Sequence, residues 1–154
     1  MNAVTFERWM RRFLLIIVEC LTVGTVIELL LEKHYKETNQ LIPYVLCILG
    51  FVGVLAVQIR PSRKTIQVLR IVMIAVVLGS FLGGYLHLAS NVDFQVEMRP
   101  NQSAVDSFFA ALMGTAPILA PGMLGLAGVL ALAATYYHPA MGKRTSEALP
   151  QTAS

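Results

Sequence analysis

Two histidines and two carboxylates are candidates for a ligand site where long apolar segments of this chain end. His87 closes one apolar run and is followed by Asp93 and Glu97 in the spacing H-x5-D-x3-E, and His34 follows an earlier run. Imidazole and carboxylate groups bind divalent metal ions, so His87, Asp93 and Glu97 are a candidate metal site. If His34 and His87 reach the same depth, they are instead candidate axial ligands of a b-type haem. The spacing matches no zinc, iron or calcium template, and a polar cap where helices leave a bilayer has the same composition.

A second pair of ionisable residues lies inside the apolar runs. Glu19 is about 9 Å along the first run and Arg70 about 6 Å along the third, at the helical rise per residue. A charge in hydrocarbon is costly and needs a partner. Similar depth and opposite sign therefore predict a Glu19–Arg70 ion pair that holds two helices together. The alternative is that Glu19 carries protons or ions across a membrane, as carboxylates in pumps do.

No arrangement of residues predicts an enzyme. The serines and threonines lack a His/Asp partner at compatible depth, and there is no glycine-rich phosphate loop and no paired acid and base. Cys20 and Cys47 both lie in apolar runs and form no C-x-x-C motif, so disulfide chemistry has no support. The basic residues show no groove or interleaved aromatics, and nucleic acid is not an expected partner.

Four long apolar runs must position these residues, and they explain why 56% of the chain is hydrophobic and only 14% is charged. They cover residues 13–31, 41–59, 66–87 and 117–137. Each run reaches the length of about 20 residues that a helix needs to cross a bilayer, and none alternates like a barrel strand. The sequence predicts an all-α, polytopic membrane protein. Residues 1–138 are expected to form a four-transmembrane-helix bundle, and residues 139–154 a disordered cytoplasmic tail.

The basic residues predict the orientation of the chain. Nine of the twelve Lys and Arg residues fall before the first run, in or next to the link at 60–65, and in the tail. The opposite side holds only Lys33, Lys36 and Arg99. By the positive-inside rule both termini are expected to be cytoplasmic, in the cell membrane and most simply in a bacterial inner membrane.

The connection at 88–116 is too long for a turn and should contain structure of its own. Its second part becomes apolar after Ser103 or Asp106, which are plausible helix N-caps. We expect a short helix over residues 104–114 on the outer leaflet. The alternative is one long kinked helix from Val105 to Tyr137.

Small residues predict where helices approach closely. The third run carries Gly79, Gly83 and Gly84, and the fourth carries Gly122, Gly125 and Gly128. Small residues four apart let backbones come together in lipid, where no hydrophobic effect drives association. The contacts they make lie either within the bundle or with a partner helix, including one from a second copy of the chain.

Two functional hypotheses follow. The first is a non-enzymatic accessory or scaffold subunit that docks on a larger membrane complex or on another copy of itself. Docking would use the helix of the fourth apolar run, 117–137, and the segment 88–116. Such a subunit requires no cofactor and has the lipid bilayer and other membrane-protein subunits as partners. The second is a small redox protein with haem or a divalent metal, or an ion- or proton-coupled transporter, that uses His34, His87 and the buried Glu19.

Overall fold

The computed structural model describes residues 2–114 and 119–142, and every regular element in these residues is helical. The α-helices are α1 (Ala3–Leu31), α2 (Ile42–Ile59), α3 (Arg63–Met98), α4 (Ala104–Leu112) and α5 (Leu119–Thr135). Short 3₁₀ turns cover Thr38–Leu41 and Pro139–Met141. The all-α prediction is confirmed for this part of the chain.

Three helices in the described residues are long and apolar enough to cross a membrane, namely α1, α2 with the turn before it, and α3. They indicate a membrane location. Helix α5 corresponds to the fourth predicted crossing, at 117–137, and is shorter than the other three helices. Its 17 residues span about 25 Å, less than the ~30 Å hydrocarbon core. Three of the four predicted crossings thus have the length and composition that a membrane-spanning helix needs, and the four-helix transmembrane bundle stays a prediction.

Helix α3 is longer than the sequence predicts. It begins after Ser62, whose side chain accepts a hydrogen bond from the Thr65 N–H at 3.2 Å, as a helix N-cap does. It continues beyond the expected end at His87 as far as Met98. The polar residues between His87 and Met98 include no proline or glycine, so nothing in this stretch interrupts the helix, and Pro100 follows its end. The first part of the predicted connection at 88–116 thus belongs to α3.

The second part of that connection contains the expected short helix. Ser103 caps α4 and accepts a hydrogen bond from the Asp106 N–H at 3.2 Å. The buried Asn91 of α3 donates to the Ala111 carbonyl of α4 at 3.0 Å and ties the two helices together. Residues 113 and 114 are not helical, so the alternative of one helix from Val105 to Tyr137 is wrong. Residues 115–118 of this segment lie outside the described residues.

Helix α5 packs between α1 and α3, and α2 contacts the same two helices from another side. The core consists of apolar side chains from all four, among them Val18, Val54, Leu69, Val76 and Ala131. We call the end where α1 stops and α2 begins the histidine end, and the opposite end, where α1 and α3 begin, the arginine end.

The small residues of α5 are used inside the protein. A Cβ at Gly128 would lie 2.7 Å from Val77 Cγ2 and 3.2 Å from the Met73 carbonyl of α3. Gly79, Gly83 and Gly125 also lie against side chains of neighbouring helices. The alanines at 120, 127, 131 and 134 are buried as well. Because α5 contacts α1 on one side and α3 on another, it needs small residues on both faces, and this surface is not free for a partner.

Gly84 and Gly122 contact no neighbouring helix among the described residues. A Cβ at either position would meet no neighbouring atom within 4 Å. Gly84 is one residue after Gly83 and therefore points about 100° away from it around the helix. Packing within the bundle is therefore not seen at these two glycines, and contact with a partner helix stays a prediction.

The predicted Glu19–Arg70 ion pair is not formed. The guanidinium group of Arg70 donates to the carbonyl of Thr135 at the end of α5. Within the described residues the one salt bridge joins Arg11 to Glu7 at 3.9 Å, and Glu19 Oε1 is buried without a hydrogen-bond partner. The physical reason is that α2 and α5 separate α1 from α3, so similar depth does not bring the two charges together.

Two arginines cap the C-terminal end of α5. Besides Arg70, Arg11 of α1 donates to the carbonyls of Ala134 at 2.9 Å, Tyr136 at 2.6 Å and Tyr137 at 3.1 Å. The last carbonyls of a helix have no partner within it and carry partial negative charge, which a cation stabilises.

The chain after α5 is partly ordered. Residues 139–141 form a 3₁₀ turn, and Ala140 and Met141 pack against the core. The tail predicted to be disordered from residue 139 is thus structured at its start. Residues 143–154 lie outside the described residues.

Candidate functional site

A cavity of about 420 Å³ lies at the histidine end between α1, α2, α3 and the start of α5. Its polar lining includes Glu28 and Glu32 of α1, His34 of the following link and His87 of α3. Its apolar lining is formed by Leu29, Ile42, Leu46, Leu82, Leu86 and Leu124. The cavity thus combines a polar group of side chains with walls of leucine and isoleucine.

The end of α1 positions His34. The N–H of His34 donates to the Leu29 carbonyl at 2.9 Å and the N–H of Lys33 donates to the Leu30 carbonyl at 3.1 Å. These two bonds form a Schellman motif, which reverses the chain direction at a helix C-terminus. Lys33 takes the left-handed conformation that the motif requires, with φ of 52°. The backbone therefore turns sharply after Glu32 and carries His34 to the cavity.

The two histidines that the sequence predicts at matching depth lie next to each other. The ring centroids of His34 and His87 are 5.8 Å apart and the ring planes are inclined by 37°. Both side chains are half-buried. Gly83, one turn before His87 on α3, lies 3.5 Å from Pro121 Cβ when a Cβ is placed on it. This close approach of α3 and α5 forms one wall of the cavity below the imidazoles.

Two carboxylates share the cavity with the histidines. Glu28 is half-buried and Glu32 is exposed, and they lie one turn apart on the same face of α1. Glu28 is not among the residues that the sequence analysis assigns to a site. Its i, i+4 relation to Glu32 is the available signal, but the sequence does not indicate that this face turns towards the cavity.

The hydroxyl groups in the lining are already engaged. Thr25 Oγ1 donates to the Leu21 carbonyl at 2.9 Å within α1. Ser80 Oγ donates to the carbonyl of Pro121 and so joins α3 to the first turn of α5. Glu28, Glu32 and the two imidazoles are therefore the side chains best placed to bind a ligand.

The predicted metal site at His87, Asp93 and Glu97 is not assembled. Asp93 and Glu97 are exposed and do not line the cavity. Because α3 is one continuous helix, Glu97 lies about 15 Å further along its axis than His87. Among the described residues no group of three or more His, Cys, Asp or Glu side chains is arranged to hold a metal ion.

Comparisons with known proteins give no further assignment. The chain matches no protein-family model, and neither the curated proteins nor the solved structures contain a significant match.

Proposed function

We propose that this protein binds small amphipathic cations of the membrane in the cavity at the histidine end. The observation that carries the proposal is the composition of the lining, with two carboxylates and two imidazoles beside apolar walls. Glu28 and Glu32 attract a positively charged head group, and His34 and His87 offer it hydrogen-bonding nitrogens. The leucine side chains accept a hydrocarbon chain.

The charge of the lining favours a cation over an anion. No lysine or arginine is among the described residues that line the cavity, so two carboxylates stand against no fixed positive charge. Ligand sites of this kind are mainly apolar and use a few convergent polar groups to orient the ligand. A neutral molecule of the same length gains the apolar contacts but not the ion pairing.

The proposal includes four crossings of the membrane, with both termini cytoplasmic in a bacterial inner membrane. Support comes from α5, which packs against α1 and α3. Its last carbonyls reach the arginines near the beginning of α1 and α3. An apolar helix of this kind extends from the histidine end to the arginine end and is embedded to the same depth as its neighbours.

Binding is tested with three molecules of equal chain length, decyltrimethylammonium, decanol and decyl sulfate, added to the purified full chain in lipid nanodiscs. The expected result is that decyltrimethylammonium raises the melting temperature most, because a ligand that binds only the folded state stabilises it. Decanol is expected to have a smaller effect, and any effect of decyl sulfate should not depend on Glu28 and Glu32.

The double variant E28Q/E32Q tests the site. Removing two partly exposed charges, each contributing up to about 1 kcal/mol, should weaken binding of the cation about tenfold. The matched control is D93N/E97Q, which removes the same charge from the far end of α3 without touching the cavity lining. Equal weakening in both variants, or equal binding of all three molecules, would contradict the proposal.

The haem hypothesis is tested on the same sample. His34 and His87 are close enough for both rings to approach one bound group. A Soret band in protein extracted from its native membrane, lost in His87→Ala, would assign the cavity to haem instead of an amphipathic cation.

A second candidate function is that of an accessory subunit, and α4 is the observation that favours it. Five apolar side chains on or just after this short helix are exposed, up to 91% for Met113. They are Val105, Phe108, Phe109, Leu112 and Met113. Intact-complex mass measurement after mild extraction tests docking: a partner or a second copy lost in Phe109→Ser supports it, and a stable monomer opposes it.

A further inference from the structure

A second cavity, of about 280 Å³, lies at the arginine end between the beginning of α1, the end of α2 and the end of α5. Its lining differs in charge from that of the first cavity. Arg8, Arg11 and Arg12 contribute three positive charges, and Glu7 contributes the one carboxylate. The formal excess is therefore three minus one, or two positive charges, before His138 is considered.

The three arginines are not equivalent. Arg11 is occupied by the carbonyls at the end of α5 and by Glu7. The side chains of Arg8 and Arg12 make no hydrogen bond or ion pair with any other residue in 2–114 or 119–142. They lie four residues apart, so both guanidinium groups project from the same face of α1. Two uncommitted cations therefore border the cavity.

A buried donor on α2 points to an acceptor that the described residues do not supply. Gln58 lines the same cavity, and its Nε2 is buried without a hydrogen-bond partner among the described residues. An unsatisfied buried donor costs free energy, so such groups normally have a partner. His138 adds a further donor: its Nδ1 accepts from the Ala140 N–H at 3.2 Å, which leaves Nε2 as the protonated nitrogen.

The cavity is at the level of a membrane surface. Trp9 and Phe13 stack with ring centroids 5.4 Å apart on α1 beside the arginines. Tyr136 and Tyr137, at the end of α5, are exposed. Aromatic residues of this kind gather where lipid head groups meet hydrocarbon. A ligand at this depth lies among phospholipid phosphates.

We propose that this cavity binds the phosphate group of an anionic phospholipid. Arg8 and Arg12 pair with the phosphate oxygens, and Gln58 donates to one of them from the α2 side. Guanidinium groups suit this task because their N–H groups match the geometry of phosphate oxygens. The site is independent of the cation cavity at the histidine end, and either one can fail without the other.

Trp9, the chain's single tryptophan, provides the readout. The full chain is reconstituted with brominated phosphatidylglycerol or brominated phosphatidylcholine, and the quenching of Trp9 fluorescence reports which lipid lies beside α1. Phosphatidylglycerol is expected to quench more strongly. The preference should fall up to about fivefold for each arginine removed in R8Q/R12Q, the contribution of one exposed ion pair made directly with the bound phosphate.

The matched control is R63Q/K64Q, which removes two positive charges from the start of α3 at the same end without touching the cavity lining. It should keep the preference, whereas Gln58→Leu should reduce it while leaving every surface charge in place. Equal losses in R8Q/R12Q and R63Q/K64Q, or equal quenching by both lipids in the unmodified chain, overturn the proposal.

Inorganic phosphate distinguishes the source of the anion. Added at constant ionic strength, it either displaces brominated phosphatidylglycerol from Trp9, which shows that the phosphate group alone is recognised, or leaves quenching unchanged, which shows that the lipid's chains are needed as well. Both results support the phosphate site only when R8Q/R12Q abolishes the lipid preference.

Discussion

His138 illustrates how one side chain at the arginine end depends on its surroundings. Burial, and then the charges of Arg11 and Arg70, lower the pKa of His138 below its usual value of 6.5. Its Nδ1 accepts the Ala140 N–H at 3.2 Å and so begins the 3₁₀ turn after α5. The folded protein therefore favours the neutral form of the His138 imidazole.

This pKa difference predicts a pH dependence of stability. The unfolded chain binds more protons than the folded one at pH values between the two pKa values, so stability rises with pH in that window. The contribution is fully present above pH 6.5 and is lost as the pH falls through the lower, folded pKa. His138→Asn keeps an acceptor for the Ala140 N–H but cannot titrate. The melting temperature of the unmodified protein should fall more between pH 7.5 and pH 5 than that of the variant, and parallel curves would refute the assignment.

Gly128 gives a second prediction at a single residue. A Cβ here would lie 2.7 Å from Val77 Cγ2 and 3.2 Å from a backbone carbonyl of α3. Gly128→Ala should therefore force α5 away from α3 and lower the free energy of unfolding by about 1–3 kcal/mol. Gly122→Ala on the same helix is the matched control, because its Cβ meets no neighbouring atom, and alanine favours a helix. Thermal unfolding in detergent that shows equal effects would contradict this packing.

Helix α5 depends on residues distant in sequence for its C-terminal end. Arg70→Gln removes the guanidinium group that donates to Thr135. A hydrogen bond to a charged group contributes about 1.5–3 kcal/mol, so the variant should be destabilised by about that amount. Glu19→Gln should leave stability unchanged or raised, since Glu19 Oε1 has no partner among the described residues. Thermal unfolding of both variants measures the asymmetry. Equal losses of stability in the two single variants, with strong coupling between them in the double variant, would instead support a Glu19–Arg70 ion pair.

The helices themselves were predictable because apolar runs of about 20 residues have few alternatives in a membrane. Their neighbours were not, since helix order around the core depends on contacts between distant segments. Glu19 and Arg70 show why. Their similar depth predicts a contact, but α2 and α5 lie between the two helices that carry them. His34 and His87 show the opposite case: they meet because the chain turns sharply after α1 and carries His34 towards α3. The extension of α3 to Met98 is not predicted, because the polar residues after His87 indicate the edge of the bilayer but do not end the helix.

On the scale of the whole molecule, the two ends differ in charge. The histidine end has a cavity with two carboxylates and no lysine or arginine in its described lining, whereas the lining at the arginine end carries three arginines. Helix α3 has 36 residues and is about 54 Å long, well beyond the ~30 Å hydrocarbon core. It must therefore project from the bilayer or tilt steeply. The part of α3 beyond His87 is tied to α4 through the hydrogen bond from Asn91 to Ala111, and the two helices form a pair beyond the cavity at the histidine end.

Protection of a single cysteine tests the central claim, that a cation enters the cavity at the histidine end. Asn39 lines this cavity, whereas Asn101 is also exposed but lies in the turn between α3 and α4. N39C and N101C are each made in a chain with Cys20 replaced by serine; Cys47 is only 1% exposed and should not react. The maleimide labelling rate is then measured with and without decyltrimethylammonium. The account predicts that the cation slows labelling of N39C and leaves N101C unchanged; equal rates at N39C with and without the cation would contradict it.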